Sequence, residues 1–181
     1  MSTIAIFGGS FNPPHVGHEA LCLILLEACD VDQVWLVPTF RHYFGKELIA
    51  FEHRFAMCER MAAAFGARVM VNDVERQLDA PESRMLDTLQ ELQRRHPDDK
   101  FRLAIGADIL QETDRWHRWD AVAELAPPLI FGRKGFEGGV LPSPPDVSST
   151  QIRATIAAGE SALPLITPSV QSYIDEQGLY R

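Results

Sequence analysis

The sequence predicts an α/β fold with a doubly wound, mostly parallel sheet that carries helices on both faces. Short β-favouring runs alternate with helical periodicity along the chain, which is typical of parallel strands joined by helices. The first such run ends in a glycine pair, which marks a tight turn. A chain of 181 residues that is 46% hydrophobic and 23% charged can bury one core. We therefore expect residues 1–181 to form a single domain, with a small C-terminal helical extension at residues 148–181.

Each predicted element depends on its local pattern. Strands are expected where β-branched and aromatic residues cluster between turn residues, at 3–7, 33–37, 68–71, 101–105 and 128–131. Helices are expected where apolar residues recur every three to four positions, at 15–29, 51–65, 83–95, 119–125, 148–158 and 168–177. Pro14 near the first turn of the first helix, and Ser83 as an N-cap, support two of these helix starts.

One stretch, residues 134–147, has neither period and is rich in glycine and proline. It is predicted to be a loop, with a short strand at residues 140–141 as an option. Two interpretations stay open. It is either an ordinary surface connection or a mobile flap beside a site.

Composition excludes several classes of function. A formal net charge of −8 argues against a general nucleic-acid binder, but not against a nucleotide, because backbone amides and helix N-termini can hold phosphate. The apolar run at residues 20–28 is too short to span a membrane, and no secretory signal is expected. The three cysteines lack a paired spacing and lie in apolar stretches, which favours buried free thiols. We therefore expect a cytoplasmic protein with no nucleic-acid or membrane partner, and the sequence leaves a homo-oligomer open.

The stretch GGSFNPPHVGH, residues 8–18, is the strongest candidate for a functional loop. It is neither a dinucleotide-binding fingerprint nor a Walker A loop, because it lacks the spacing of both. Gly8 and Gly9 provide a turn whose backbone can approach a phosphate closely. The helix that follows offers free amides and the positive end of its dipole to an anion.

Two histidines stand three residues apart at the start of that helix. His15 and His18 should share a face, and Gly17 between them leaves the backbone uncovered. Each imidazole can donate a hydrogen bond to a different oxygen of one phosphate, which would stabilise a five-coordinate phosphorus. A metal pair is the alternative, but no nearby cysteine or carboxylate completes a zinc set.

A second candidate is SSTQIR, residues 148–153. Hydroxyls at a helix start can cap the helix and reach a phosphate, and an arginine one turn on can bind two oxygens. The alternative is a capped surface helix with a solvated arginine. In an open parallel sheet, this segment and the first loop should face one crevice beyond the carboxyl ends of the strands.

These stretches together resemble the HxGH nucleotidylyltransferase superfamily. The first resembles its signature loop, and SSTQIR resembles a signature of its nicotinate-mononucleotide adenylyltransferase branch. Further similar elements follow in the order of that branch, namely LDTL at 86–89, IGAD at 105–108, RWHRW at 115–119 and the C-terminal stretch at 165–180. The resemblance spans nearly the whole chain and implies a Rossmann-like fold.

The resemblance implies adenylyl transfer in NAD biosynthesis. A phosphate oxygen of a pyridine mononucleotide attacks the α-phosphorus of ATP, and pyrophosphate leaves with the help of Mg²⁺ that no protein side chain binds. The catalytic residues would be His15, His18, Arg153 and Lys46. ATP and its phosphates would contact Gly8, Gly9, Ser10, Phe11, Gly17, Gly106, Asp108, Ser148, Ser149 and Thr150, with residues 148–181 completing this site. The acceptor would contact Met85, Asp87, Thr88 and Trp116.

Simpler interpretations remain for several of these residues. Asp108 would bind a ribose hydroxyl or cap a helix, and Trp116 would stack on the pyridine ring or pack in the core. Asp87 and Thr88, in the middle of a helix, would contact the acceptor or simply be solvated.

The chain departs from the branch at two places. RHYFGK at 41–46 stands where the branch has a stretch like P-P-H-K, so the alignment of Lys46 is loose. SRMLDT at 83–88 stands where SYTIDT is usual, so Met85 replaces a threonine and removes a hydroxyl near the acceptor base. Two alternatives therefore stay open: another acceptor, such as nicotinamide mononucleotide or a phosphopantetheine-like phosphate, or a nucleotide-binding sensor without turnover.

Overall fold

A parallel five-stranded sheet forms the centre of the molecule. The structure is a computed structural model and describes residues 1–41 and 48–181. Within those residues the strands are β1 (Thr3–Gly9), β2 (Gln33–Pro38), β3 (Val69–Val71), β4 (Lys100–Gly106) and β5 (Pro128–Phe131). Their order is β3-β2-β1-β4-β5 and every pair is parallel, so the predicted fold class is confirmed.

Seven α-helices connect and cover the described strands. They are α1 (Val16–Ala28), α2 (Phe51–Ala62), α3 (Val74–Leu78), α4 (Met85–Arg95), α5 (Trp119–Leu125), α6 (Ser149–Ala157) and α7 (Pro168–Gln177). Short 3₁₀ helices follow at Ala63–Arg68, Ala107–Gln111 and Thr113–Arg115. The predicted helix 51–65 therefore ends early and tightens into a 3₁₀ turn. The segments α3, 107–111 and 113–115 escaped prediction because each is too short to show a period.

The predicted N-cap at Ser83 is wrong. Helix α4 starts at Met85, with Arg84 in the capping position and no side-chain cap. The Ser83 hydroxyl instead accepts a hydrogen bond from the Arg41 amide at 3.1 Å, and the Ser83 amide donates to the Arg41 carbonyl at 3.1 Å. These two bonds join the segment after β2 to the segment before α4.

Alternate residues of each strand supply two cores, one on each face of the sheet. On β1, Ala5 and Phe7 pack with α1, α2, α6 and α7, whereas Ile4 and Ile6 pack with α3, α4 and α5. The C-terminal helices belong to the first core, since Ile152 is fully buried there. Burial of the thiols is confirmed for Cys22 and Cys58, and burial raises the pKa of Cys22 to about 12, whereas Cys29 is partly exposed.

The stretch 134–147 follows β5 as an irregular loop. The predicted short strand at 140–141 is reduced to a single bridge between Leu141 and Phe131. Among the described residues no helix is both long and apolar enough to cross a membrane.

Candidate active site

A cavity of about 420 Å³ opens at the carboxyl ends of β1 and β4, where the strand order reverses. That volume is typical of a small-molecule site, and this position is where open α/β sheets bind ligands. Most of the sequence-predicted site residues line it: Gly8, Gly9, Ser10, His15, Gly17, His18, Met85, Gly106, Asp108 and Trp116.

The two histidines face each other at the start of α1. Their rings stack with centroids 3.7 Å apart and an interplanar angle of 30°. His15 is the N-cap, and its amide donates to Nδ1 of His18 at 3.1 Å. Because Nδ1 of His18 accepts, its Nε2 carries the proton and is a donor. Nδ1 of His15 is buried without a hydrogen-bond partner among the described residues, beside Gly17.

Both histidines are held in the neutral form. Burial, together with the positive charge of Arg133, lowers the pKa of His15 to about 4. Burial, His15 and Arg133 together lower the pKa of His18 well below its ordinary value. Two neutral imidazoles therefore face the cavity near pH 7, each able to donate one hydrogen bond.

The Phe11 side chain packs against His18 and does not line the cavity. Its ring is 1% exposed and meets the His18 ring edge-on at 4.9 Å and the Phe7 ring at 5.3 Å. The prediction that Phe11 contacts ATP is therefore wrong for its side chain, which is a packing residue. Its backbone has φ +46°, a left-handed conformation that costs energy for a side chain of this size.

Two glycines let other groups approach the cavity wall. A Cβ on Gly17 would lie 3.0 Å from Nδ1 of His15 and 3.0 Å from the Pro145 carbonyl oxygen. A Cβ on Gly106 would collide with the carboxylate of Asp108. At both positions a side chain would therefore displace a polar group from its present place beside the cavity.

Asp108 pairs with an arginine that sequence reasoning missed. Its Oδ1 lies 3.7 Å from Nε of Arg133, and both residues line the cavity. The 3₁₀ helix at Ala107–Gln111 has no side-chain cap, so the capping alternative for Asp108 is wrong. Arg133 was detectable, since it stands two residues after β5, at the sheet edge that gathers the other site residues.

Met85, Trp116 and His117 line another part of the cavity. The terminal methyl of Met85 lies 2.9 Å from where a Cβ on Gly8 would be, so it covers the start of the glycine loop. Trp116 lines the cavity and also meets Trp119 edge-on at 5.4 Å, so both interpretations of this tryptophan have support. His117, which carried no motif, lines the cavity as well.

A buried carboxylate was also missed. Glu75, on α3, lines the cavity, and its Oε2 accepts a hydrogen bond from the Phe40 amide at 2.9 Å. Burial raises the pKa of this carboxyl group above its ordinary value, against hydrogen bonds from Ser83, Phe40 and Thr88 that lower it. The sequence offered no signal, because a single glutamate in a short helix resembles any surface residue.

Two predicted acceptor residues lie outside the cavity lining. Thr88 is fully buried, and its hydroxyl donates to the Arg84 carbonyl at 3.2 Å, so a direct contact between its side chain and an acceptor is contradicted. Asp87 is partly buried and does not line the cavity either. Lys46 lies outside the described residues.

The SSTQIR segment contacts the glycine loop rather than the cavity. Ser148 caps α6 by accepting from the Thr150 amide at 3.2 Å. The Ser149 hydroxyl donates to the Pro13 carbonyl at 2.8 Å, and Nη1 of Arg153 donates to the Asn12 carbonyl at 2.7 Å. The helix is therefore capped, as the alternative expected, but the half-exposed Arg153 binds the loop instead of being fully solvated.

The loop at 134–147 lies beside the site, since Pro144 and Pro145 line the cavity. That position favours the flap interpretation over a remote surface connection, and its mobility stays a prediction. In the part of the chain that the structure describes, no group of three or more metal-ligating side chains comes together.

The site and its place in the sheet define a class of protein: a nucleotide-binding α/β protein whose chemistry is directed at phosphate. The sequence model of the cytidylyltransferase-like family matches residues 6–155. The chain is 45% identical to a probable nicotinate-nucleotide adenylyltransferase of Anaeromyxobacter sp. (strain K), over 98% of this chain and 96% of that protein. It is 38% identical to the corresponding Myxococcus xanthus protein, over 98% and 94%.

The chain belongs to the cytidylyltransferase-like family and, within it, to the nicotinate-nucleotide adenylyltransferases. The fold agrees. A Plasmodium falciparum nicotinic acid mononucleotide adenylyltransferase, solved with NaAD, superposes with a TM-score of 0.82 at 20% identity, over 99% of this chain and 98% of that one. The family predicted from the two signature stretches is confirmed.

Proposed function

We propose that this protein transfers the adenylyl group of ATP to nicotinate mononucleotide, giving nicotinic acid adenine dinucleotide and pyrophosphate. The observation that carries the proposal is the stacked pair His15 and His18 at the helix start that follows the glycine loop. Both face a cavity at the strand-order switch of the sheet, where a nucleotide phosphate would meet loop amides and the helix dipole.

The reaction is a direct in-line displacement. A phosphate oxygen of the acceptor forms a bond to the α-phosphorus as the bond to the pyrophosphate oxygen breaks, and charge builds on the equatorial oxygens. Nε2 of His18 donates to one of these oxygens, and the imidazole of His15, which also lines the cavity, donates to another. Both donors are set before the reaction, so they need little reorganisation as the charge develops.

Arg133 supplies the positive charge beside the histidines. Its guanidinium already pairs with Asp108 and bears electrostatically on both imidazoles. An arginine can fork onto two phosphate oxygens, so in the complex Arg133 binds the polyphosphate and Asp108 is released toward a ribose hydroxyl. Lys46 would add a second cation from residues outside the described structure.

Mg²⁺ would enter with ATP, held by the phosphate oxygens of ATP and by water, as is usual for this cation. When bound, it neutralises charge on the leaving pyrophosphate.

The segment 148–181 completes the single domain by holding the glycine loop. Arg153 and Ser149 bind loop carbonyls, and Ser148 caps the helix that carries them. These side chains and Thr150 lie outside the cavity lining, so they serve ATP binding by fixing the loop, and a direct contact between them and ATP stays a prediction.

The acceptor is assigned by charge. Helix α4 begins at Met85 beside the cavity, so the positive end of its dipole favours a carboxylate over a neutral carboxamide. Trp116 offers an aromatic face to the pyridine ring. The three free cysteines suit the reducing cytoplasm in which this step of NAD biosynthesis would run.

Pyrophosphate release from ATP tests the proposal with a panel of acceptors at fixed Mg²⁺. We expect nicotinate mononucleotide to support turnover best, with formation of the dinucleotide verified by mass. A preference for nicotinamide mononucleotide would overturn the acceptor assignment only. If no acceptor supports pyrophosphate release although ATP still binds, the protein is a nucleotide-binding sensor and the transferase proposal is wrong.

A further inference from the structure

The loop between β1 and α1 is held from behind by other segments of the chain. Each bond joins a loop carbonyl to a donor outside the loop: Gly9 O to the Thr39 amide (2.9 Å), Ser10 O to Arg54 Nη1 (3.0 Å), Asn12 O to Arg153 Nη1 (2.7 Å) and Pro13 O to Ser149 Oγ (2.8 Å). Arg54, Arg153 and Ser149 do not line the cavity, so their bonds fix the side of the loop that faces away from it.

One side chain of the loop is also held on this side. Asn12 is only 3% exposed, and its Oδ1 accepts a hydrogen bond from the Tyr180 hydroxyl at 2.7 Å. Asn12 therefore has two donors from the C-terminal part of the chain, Tyr180 on its side chain and Arg153 on its backbone. A buried amide oxygen that lost its donor would have to move to find another, and the loop would move with it.

Tyr180 reaches Asn12 through an unusual backbone path. Gly178 caps the C-terminus of α7 with φ +61°, and Tyr180 itself has φ +66°, which is rare for a tyrosine. The Leu179 amide closes the turn by donating to the Ile174 carbonyl at 3.0 Å. Strained residues of this kind persist where the surroundings fix them, and they cluster at functional sites. Burial raises the pKa of the Tyr180 phenol, so its hydroxyl is a donor throughout the neutral range.

We infer that Tyr180 is a positioning residue for adenylyl transfer, acting through Asn12 to fix the loop that carries His15 and leads into α1, which carries His18. This inference rests on the proposed function. In-line transfer is sensitive to shifts well below an ångström, whereas nucleotide binding through many contacts is not. Tyr180 therefore contributes mainly to turnover and little to ATP binding.

Tyr180→Phe tests this, with Tyr173→Phe as the matched control. Tyr173 also belongs to the C-terminal part and bonds His53 Nδ1 through its hydroxyl at 2.9 Å, and among the described residues no hydrogen bond joins it to the loop. We expect Tyr180→Phe to lower kcat about 10-fold while KM for ATP changes less than about 3-fold. Tyr173→Phe should keep the wild-type kcat. Melting temperatures of both variants show whether loss of stability explains any difference.

Substitution of Asn12, the residue that accepts the hydrogen bond from Tyr180, gives an independent test of the inference. Asn12→Ala should lose the same factor in kcat, Asn12→Asp should recover most of it by restoring an acceptor, and adding Tyr180→Phe to Asn12→Ala should cost nothing further. Equal kcat for Tyr180→Phe and Tyr173→Phe, or additive losses at Asn12 and Tyr180, would overturn the inference alone. A wild-type chain without transfer activity would overturn the proposed function, and the inference with it.

Discussion

The two ends of the cavity are built differently. The histidine end comprises residues 8–18 and Arg133, and the methionine end comprises residues 84–85 and 109–117. Behind the histidine end lie side chains such as Phe11 and Arg54, each 1% exposed and each fixed by named partners. The methionine end consists of half-exposed and exposed side chains in and beside two 3₁₀ helices and at the start of α4, and Arg84 and Arg115 are both exposed.

This difference suggests that the histidine end carries the chemical step and that the methionine end selects the acceptor. A phosphorus under attack needs donors held to a fraction of an ångström, and close packing around the loop supplies that. An acceptor base is recognised by shape and by a few hydrogen bonds, which partly exposed side chains can change without disturbing the core. Substitutions at the histidine end should therefore lower catalysis, whereas substitutions at the methionine end should change the preference for the acceptor.

The largest effect should follow from His18→Ala. Removal of a donor to a developing negative charge costs about 10²- to 10³-fold in kcat, whereas the affinity for ATP should change by only a few-fold. Single-turnover kinetics and ATP titration separate these two quantities. Losses of equal size in kcat and in ATP affinity would instead make His18 a ground-state binding residue.

The second largest effect is expected on the pH dependence of stability, because His15 is buried. The pKa of His15 is about 4 in the folded protein against an ordinary 6.5, so between these values the unfolded chain binds a proton that the folded chain does not. Stability therefore falls as pH falls from 6.5 to 4, by on the order of 3 kcal/mol from this group. Denaturant unfolding at a series of pH values measures the slope.

His15→Gln should flatten that acid slope. His117→Gln is the matched substitution at the methionine end, and its profile should stay as steep as that of the wild type because His15 is still buried. A His15→Gln profile as steep as the wild-type one would refute the burial argument.

A smaller effect is expected at the rim of the histidine end. Arg133→Gln keeps a polar, though shorter, side chain and removes the charge that pairs with Asp108, so kcat/KM for ATP should fall about 10-fold. The neighbouring Lys134 pairs with Asp146 at 3.2 Å on the exposed loop, so Lys134→Gln is a control with the same change of charge. Equal losses in the two variants would mean that only the net charge of the loop matters.

Some parts of the fold and of the site could be predicted from the sequence, and others could not. The sheet and the histidine loop were predictable because long strands, glycine turns and paired histidines have local signals. Arg133 followed from the strand-end rule but was overlooked, and Glu75 had no local signal at all. Thr88 was misassigned because a threonine in a helix looks the same whether it faces a ligand or, as here, bonds the Arg84 carbonyl in the core. Contacts such as that between Tyr180 and Asn12 join residues 168 positions apart, which no local pattern specifies.

The smallest effect, and the one that defines the methionine end, is expected at Met85. Its methyl group covers Gly8, and the thioether offers no hydrogen-bond donor to an acceptor ring. Met85→Thr adds a hydroxyl and removes a methyl contact, so the ratio of kcat/KM for nicotinate to nicotinamide mononucleotide should shift by a few-fold, with KM for ATP unchanged. Met70→Thr, on the exposed edge strand β3, is the matched control for stability. If Met85→Thr instead loses turnover equally with both acceptors, this side chain positions the glycine loop. Substitutions at the two ends of the cavity would then affect the same step.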